Sequence, residues 1–319
     1  MLIKKEKKGD VTIYYVDKDM DDEKMEKYKN TKVKEKDIEL IIKDDADVYC
    51  VSQTDPSGFS LLLKFRKNKL SEKNTKLFYE NVIDFALSET SNRGSTSGSK
   101  NKTTGYNPKI MSNIFGYFDK LGPMQKFKLK QQGKKISLTS RETRFNMDYP
   151  EKYKNACPLI EEIDTLYKRY IPDKYEMQHK KARQTPFKIK NTSFTTITTN
   201  VNFQTTIHKD KGDDEEGFGN LVVIEDGKYT GGETCFPQYG VGVNVRTGDV
   251  LFMDVHQWHG NLPIQKENDS VRRLSIVCYL RYNIWKNTKG KTKKFMDNHN
   301  KIFYSLREKK PNKTKKNKL

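Results

Sequence analysis

His208 and Asp210 stand two apart in the sequence, and His259 follows forty-nine residues after the aspartate. Two imidazoles and a carboxylate are the donor set of a facial triad that holds non-haem Fe(II). The ion's other positions stay open, enough for a bidentate co-substrate and dioxygen. In an extended strand residues 208 and 210 point to one face. A third ligand so far along the chain then arrives on a distant strand that closes over that face.

Arg273, fourteen residues after His259, supplies the second half of the pattern. In a double-stranded β-helix, 2-oxoglutarate chelates the iron through one end, and its far carboxylate needs a buried cation. The guanidinium is a planar fork that pairs a carboxylate through two hydrogen bonds. Residues 273 and 275 share a strand face, so the Ser275 hydroxyl reaches the same carboxylate. Arg272 and Arg281 compete with Arg273, but Arg272 faces away from Ser275 and Arg281 lies beyond the apolar run.

The elements that must position these residues read mainly as strands. Asn220–Glu225, Val241–Arg246, Val250–Val255 and Leu274–Leu280 are apolar or alternating runs separated by turn signals at Gly231-Gly232 and Thr247-Gly248-Asp249. Ser193–Phe203 is rich in β-branched residues and reads as a further strand. Upstream, 48–52 and 60–65 look like strands. Leu77–Leu87 and Pro158–Tyr170 carry apolar residues at helical spacing. The expected fold class is α+β, a double-stranded β-helix (jelly-roll, cupin-like) core buttressed by helices. The expected division is a charged N-terminal extension over 1–45, an oxygenase domain over 46–285 with its β-helix core at about 190–285, and a basic, disordered tail over 286–319. Residues 91–108 are rich in Ser, Gly, Asn, Thr and Lys and read as a loop. Arg93, Lys100 and Lys102 make it either a linker or a phosphate-contacting loop.

These strands and motifs together resemble one family. His208-Lys-Asp-Lys-Gly-Asp, Gly217-Phe-Gly, Gly231-Gly, Gly248-Asp-Val-Leu-Phe-Met-Asp254, Trp258-His-Gly-Asn261 and Arg273-Leu-Ser-Ile-Val-Cys-Tyr279 are similar to the TET/J-binding-protein family of Fe(II)/2-oxoglutarate oxygenases. The resemblance is dense over about 185–285 and weaker upstream. It implies oxidation of the 5-methyl group of thymine or 5-methylcytosine in nucleic acid, DNA foremost, with Fe(II), 2-oxoglutarate and O2 as cofactors. It implies His208, Asp210 and His259 as iron ligands and Arg273, with Ser275, as the 2-oxoglutarate anchor. The long insert and the Cys-rich zinc-binding region of the animal enzymes are both missing.

His256 competes with His259 for the third ligand position; Gly260-Asn261 and the spacing to Arg273 favour His259. His179 and His299 lie in charged stretches and read as solvated. Asp254 and Asn261 are candidates to orient the imidazoles, and Trp258 or Phe236 either sandwich a base or serve the core. Because the triad and Arg273 serve any substrate, an oxygenase acting on a protein side chain or small molecule is the alternative. A non-catalytic DNA-binding protein would show a broken triad, and this one is intact.

Composition agrees with a polyanionic partner. The net charge is +19 over 319 residues. Lys286 to Leu319 contributes +11 of it, with twelve lysines and one arginine against one aspartate and one glutamate. Such a tail binds polyanions by counterion release without reading sequence. No stretch approaches a transmembrane length, and Met-Leu-Ile-Lys-Lys-Glu-Lys-Lys lacks the apolar core of a secretory signal. The four cysteines have no paired spacing, which fits a reducing intracellular compartment, nucleus or cytoplasm of the organism or of an infected host. Oligomeric state is not readable from the sequence.

Overall fold

Alternation along four strands sets the architecture. In Arg272–Tyr279, Leu274, Ile276 and Cys278 turn to one side, and Arg273, Ser275 and Val277 to the other. In Gly219–Asp226, Val222 and Ile224 go with the first set, and Leu221 and Val223 with the second. Val250–Met253 and Thr196–Val201 divide in the same way. Each strand therefore has one apolar face for a helical layer and a mixed face for a site.

The computed structural model describes residues 1–90 and 110–306. Its large sheet orders ten strands as Leu2–Lys8, Val11–Val16, Ala46–Val51, Phe59–Arg66, Val250–Met253, Gly219–Asp226, Arg272–Tyr279, Thr196–Val201, Ser112–Phe118 and Arg141–Glu142. A four-stranded sheet, Gly260–Asn261, Thr234–Phe236, Val241–Val243 and Leu40–Ile42, closes over the middle of it, and Tyr229–Gly231 pairs with Ile264–Lys266. The two facing sheets are the double-stranded β-helix expected from the sequence.

One core lies between the sheets, where Leu221, Val223, Leu251 and Met253 meet Phe236, Val241 and Val243. A second lies behind the large sheet. There the helices Glu72–Ala86 and Pro150–Tyr170 present Phe78, Val82, Ile160, Ile163 and Tyr167 to Val222, Phe252 and Ile276. Burying each such side chain contributes about 1.5–3 kcal/mol, so this helical layer backs the sheet that carries Arg273.

Four expectations need correction. Residues 1–45 are not an extension: Leu2–Lys8 and Val11–Val16 complete one edge of the large sheet, and Leu40–Ile42 pairs in parallel with Val241–Val243. Their charges fall on solvated faces, so edge strands read as a polar tail. The helix at 158–170 begins at Pro150 and runs through Pro158, because Ala156 and Cys157 continue its buried stripe. Residues 286–306 are not a disordered tail. They end the helix Tyr282–Thr288 and form Lys293–Ser305, whose Met296, His299 and Phe303 are buried. His299 is thus packed rather than solvated, with Nε2 donating to the Ser140 carbonyl at 2.9 Å. The loop at 91–108 and residues 307–319 lie outside the described residues.

Candidate active site

His208 is held by backbone. Its N–H donates to the His259 carbonyl and the His259 N–H to the His208 carbonyl, both at 2.9 Å, forming one antiparallel bridge between two irregular segments. The Asp210 N–H donates to the Val255 carbonyl at 2.9 Å. The sequence placed His208 and Asp210 on a strand; the structure places them on a loop pinned at these points. The outcome is equivalent, because the pairing brings His259 beside them.

The two imidazoles have ring centroids 4.4 Å apart. His208 Nε2 lies 3.5 Å from Asp210 Oδ1, and His259 Nε2 lies 3.8 Å from Asp210 Oδ2. One ligand atom from each of the three residues falls within 4.8 Å of the others, and the two histidine–aspartate separations are ones that a single ion at about 2.0–2.2 Å from each atom would span. The opposite ring nitrogens fix the tautomers. His208 Nδ1 lies 2.6 Å from the Thr206 carbonyl and His259 Nδ1 lies 2.9 Å from that of Gln257. A carbonyl only accepts, so the proton sits on Nδ1 and the Nε2 lone pair is free for a metal. Burial, and then the neighbouring His208, push the His259 pKa down to about 4. His259 is therefore a neutral donor at neutral pH.

Asp254 and Asn261 do not touch the imidazoles. Asp254 accepts from the His256 N–H at 3.0 Å and from Gln257 Nε2 at 3.1 Å, which shapes the turn that presents the Gln257 carbonyl. Asn261 Oδ1 accepts from the Thr205 N–H at 2.8 Å and the Thr205 hydroxyl at 2.9 Å, next to the Thr206 carbonyl. His256 is turned away, with Nε2 3.3 Å from the Asp214 carbonyl.

Arg273 lines the same cavity as the triad, together with Ser275, Asn200, Thr205 and Phe203. It is 4% exposed. One terminal nitrogen donates to the Gly232 carbonyl at 2.7 Å, and Nε is buried without a partner. Burial disfavours its charge and lowers its pKa. Among the described residues no carboxylate lies within ion-pair distance of it. The competitors are committed elsewhere: Arg281 Nε donates to Asp119 Oδ1 at 2.7 Å, and Arg272 to the Asp269 and Val271 carbonyls. A buried cation short of an anion, aimed into a polar cavity, fits the far carboxylate of 2-oxoglutarate.

Sequence reasoning missed how Arg273 is seated. Gly232 has φ +76°, and a Cβ there would come 2.8 Å from Arg273 Nε. The glycine leaves room for the guanidinium and offers its carbonyl to it. Tyr229, on the strand leading to this turn, is half-buried beside Arg273 and Glu225 and interacts with both. Phe236 and Trp258 are core residues and do not line the cavity; the cavity's aromatic is Phe203.

A double-stranded β-helix with this donor set facing a buried arginine defines the class, a 2-oxoglutarate-type iron oxygenase domain. Residues 130–282 match the Tet_JBP family model, the oxygenase domain of the 2OGFeDO superfamily, and the domain belongs to that family. The bifunctional helicase and thymine dioxygenase JBP2 of Trypanosoma brucei brucei is 31% identical over 255 residues, which are 80% of this chain and 21% of that protein. The thymine dioxygenase JBP1 of the same organism is 32% identical over 202 residues, 63% of this chain and 22% of that protein. The chain thus spans about a fifth of the length of these relatives. The solved structure of NgTET1 in complex with 5mC DNA aligns with a TM-score of 0.50 at 15% identity, over 90% of each chain, a likeness of fold. The superfamily's cofactors are Fe(II), 2-oxoglutarate and O2, and the residues present suit them. No helix among the described residues is long and apolar enough to cross a membrane.

Proposed function

We propose that the chain is an Fe(II)/2-oxoglutarate-dependent dioxygenase that hydroxylates the 5-methyl group of a pyrimidine in DNA. The observation that carries the reading is one cavity lined both by the His208–Asp210–His259 cluster and by a buried, anion-less Arg273. The thymine dioxygenase relatives support the substrate class.

His208, Asp210 and His259 hold the iron, with the Thr206 and Gln257 carbonyls fixing each imidazole's orientation. Arg273 pairs the far carboxylate of 2-oxoglutarate, and Ser275, on the same strand face, contributes its hydroxyl. Bound iron with 2-oxoglutarate and dioxygen supplies the oxidising power that replaces a methyl C–H by C–OH. The chain's own task is positioning. A methyl group inside a duplex is out of reach, so the base leaves the stack and enters the cavity, where Phe203 and Thr205 form the wall beside the triad.

The test is nucleoside mass spectrometry on DNA incubated with iron, 2-oxoglutarate and the chain. Thymine-only and 5-methylcytosine-containing duplexes are compared. The expected product is a 5-hydroxymethyl pyrimidine in one of them. Succinate release with both DNAs unchanged would reject the DNA substrate and favour a protein side chain or small molecule.

A further inference from the structure

Asp210 and His208 mark the open side of the cavity: their side chains are 28% and 12% exposed, against 7% for His259. A segment from the N-terminus pairs with the chain just before His208. Lys32 bridges Thr206 in antiparallel register. The Asn30 N–H donates to the Ile207 carbonyl at 2.9 Å and the Ile207 N–H to the Thr31 carbonyl at 2.8 Å. Gln204 Nε2 adds a bond to the Val33 carbonyl at 3.3 Å. Val33 is buried and seated on Gly260, where a Cβ would come 2.9 Å from Val33 Cγ2. Residues 30–33 thus lie one strand spacing, about 4.8 Å, from the segment that carries His208, and the strap 29–36 runs on from them into the 3-10 turn Glu35–Asp37.

The strap reads Lys-Asn-Thr-Lys-Val-Lys-Glu-Lys. Lys32, Lys34 and Lys36 are exposed. Lys29 and Lys209, one from the strap and one from the triad loop, place their ammonium groups 5.9 and 5.0 Å from the ring centroid of Trp258. The acids nearby are Glu35 within the strap, Glu26, which pairs Lys29, and Asp37, which accepts from the Lys34 N–H. Within 29–36 four lysines stand against the one glutamate, a net +3. A solvated lysine run needs no anchors; this one is bonded to the triad segment and pinned by a buried valine. Charge held beside the segment 204–208, whose Thr205 and His208 line the cavity, matches the phosphates flanking a base that enters it.

We propose that residues 29–36 are a phosphate-binding wall of the nucleic-acid cleft, with Lys32, Lys34 and Lys36 as its contacts. This rests on the nucleic-acid reading above. The test compares the full chain with Lys32→Gln/Lys34→Gln/Lys36→Gln and with a control, Lys5→Gln/Lys7→Gln/Lys8→Gln, on the exposed edge strand Leu2–Lys8. Fluorescence anisotropy with a labelled duplex gives the slope of log affinity against log salt. Each phosphate contact contributes about 0.9 to that slope. The strap variant should lose roughly 2–3 of slope and the control much less, with 2-oxoglutarate affinity unchanged in both. Unchanged binding by the strap variant, or equal losses in both, would overturn the wall. Failure of the unsubstituted chain to bind any duplex would overturn the nucleic-acid reading, and the wall with it.

Discussion

Arg273→Met separates what the arginine does for the fold from what it does for a ligand. In the protein the guanidinium is buried, donates one hydrogen bond to the Gly232 carbonyl, and has no ion-pair partner among the described residues. Losing a hydrogen bond to a charged group costs about 1.5–3 kcal/mol. Removing an unpaired buried charge returns a desolvation penalty of several kcal/mol. The two nearly cancel, so the metal-free protein should melt within about 4 °C of the parent, given roughly 2–4 °C per kcal/mol for large domains. The ligand has no such compensation. Truncating one side of a buried charge pair costs about 2–5 kcal/mol, at least about thirtyfold in affinity. Calorimetry of 2-oxoglutarate binding to the Mn(II)-loaded protein, beside thermal melts of both forms, measures the two effects. Gly232→Ala should imitate the affinity loss, since its Cβ would strike Arg273. A variant that melts far lower yet binds 2-oxoglutarate normally would refute the reasoning, because Arg273 would then be a structural residue.

Three further predictions follow from particular contacts. His208→Ala and Asp210→Ala should abolish metal binding, read by spectroscopic titration, and turnover with it, while His256→Ala keeps both; a metal-free His256→Ala protein would reassign the third ligand. Truncation at Lys286 removes Phe303 and Leu306 from their packing against Leu129 and should lower the melting temperature by more than 5 °C, roughly the loss of two buried apolar side chains. His259 titrates from about 4 when folded and from 6.5 when unfolded. A lowered histidine pKa means the unfolded state takes the proton first. Its contribution to stability is therefore complete above pH 6.5 and lost as pH falls toward 4, up to about 3 kcal/mol. Denaturant unfolding of the chelator-treated protein should show that loss, and His259→Asn should be flatter over the same range.

Chemistry-bearing residues were legible in the sequence because their types and spacings are constrained. His208, Asp210, His259, Arg273 and Ser275 converge on one cavity, and the strands at 219–226, 250–253 and 272–279 follow from alternation that a two-sided sheet demands. What could not be read is mostly backbone. The Thr206 and Gln257 carbonyls that orient the imidazoles, and the Gly232 carbonyl that seats Arg273, have no residue type to betray them. The N-terminal strands were hidden because Leu2–Lys8 is exposed on both faces and carries no pattern. The last helix did leave a signal: Met296, His299 and Phe303 recur at helical spacing within the lysines, but net charge dominated the reading.

If the triad and Arg273 form one site, consumption of 2-oxoglutarate there is coupled to oxidation of a base. The most direct measurement is the ratio of succinate to oxidised nucleoside from one reaction on thymine- or 5-methylcytosine-containing DNA, for the unsubstituted chain and for Asp210→Ala. A ratio near one, with both products lost in the variant, is the predicted result. Oxidised base persisting in the variant, or succinate formed at the same rate whether or not DNA is present and with no base altered, would contradict it.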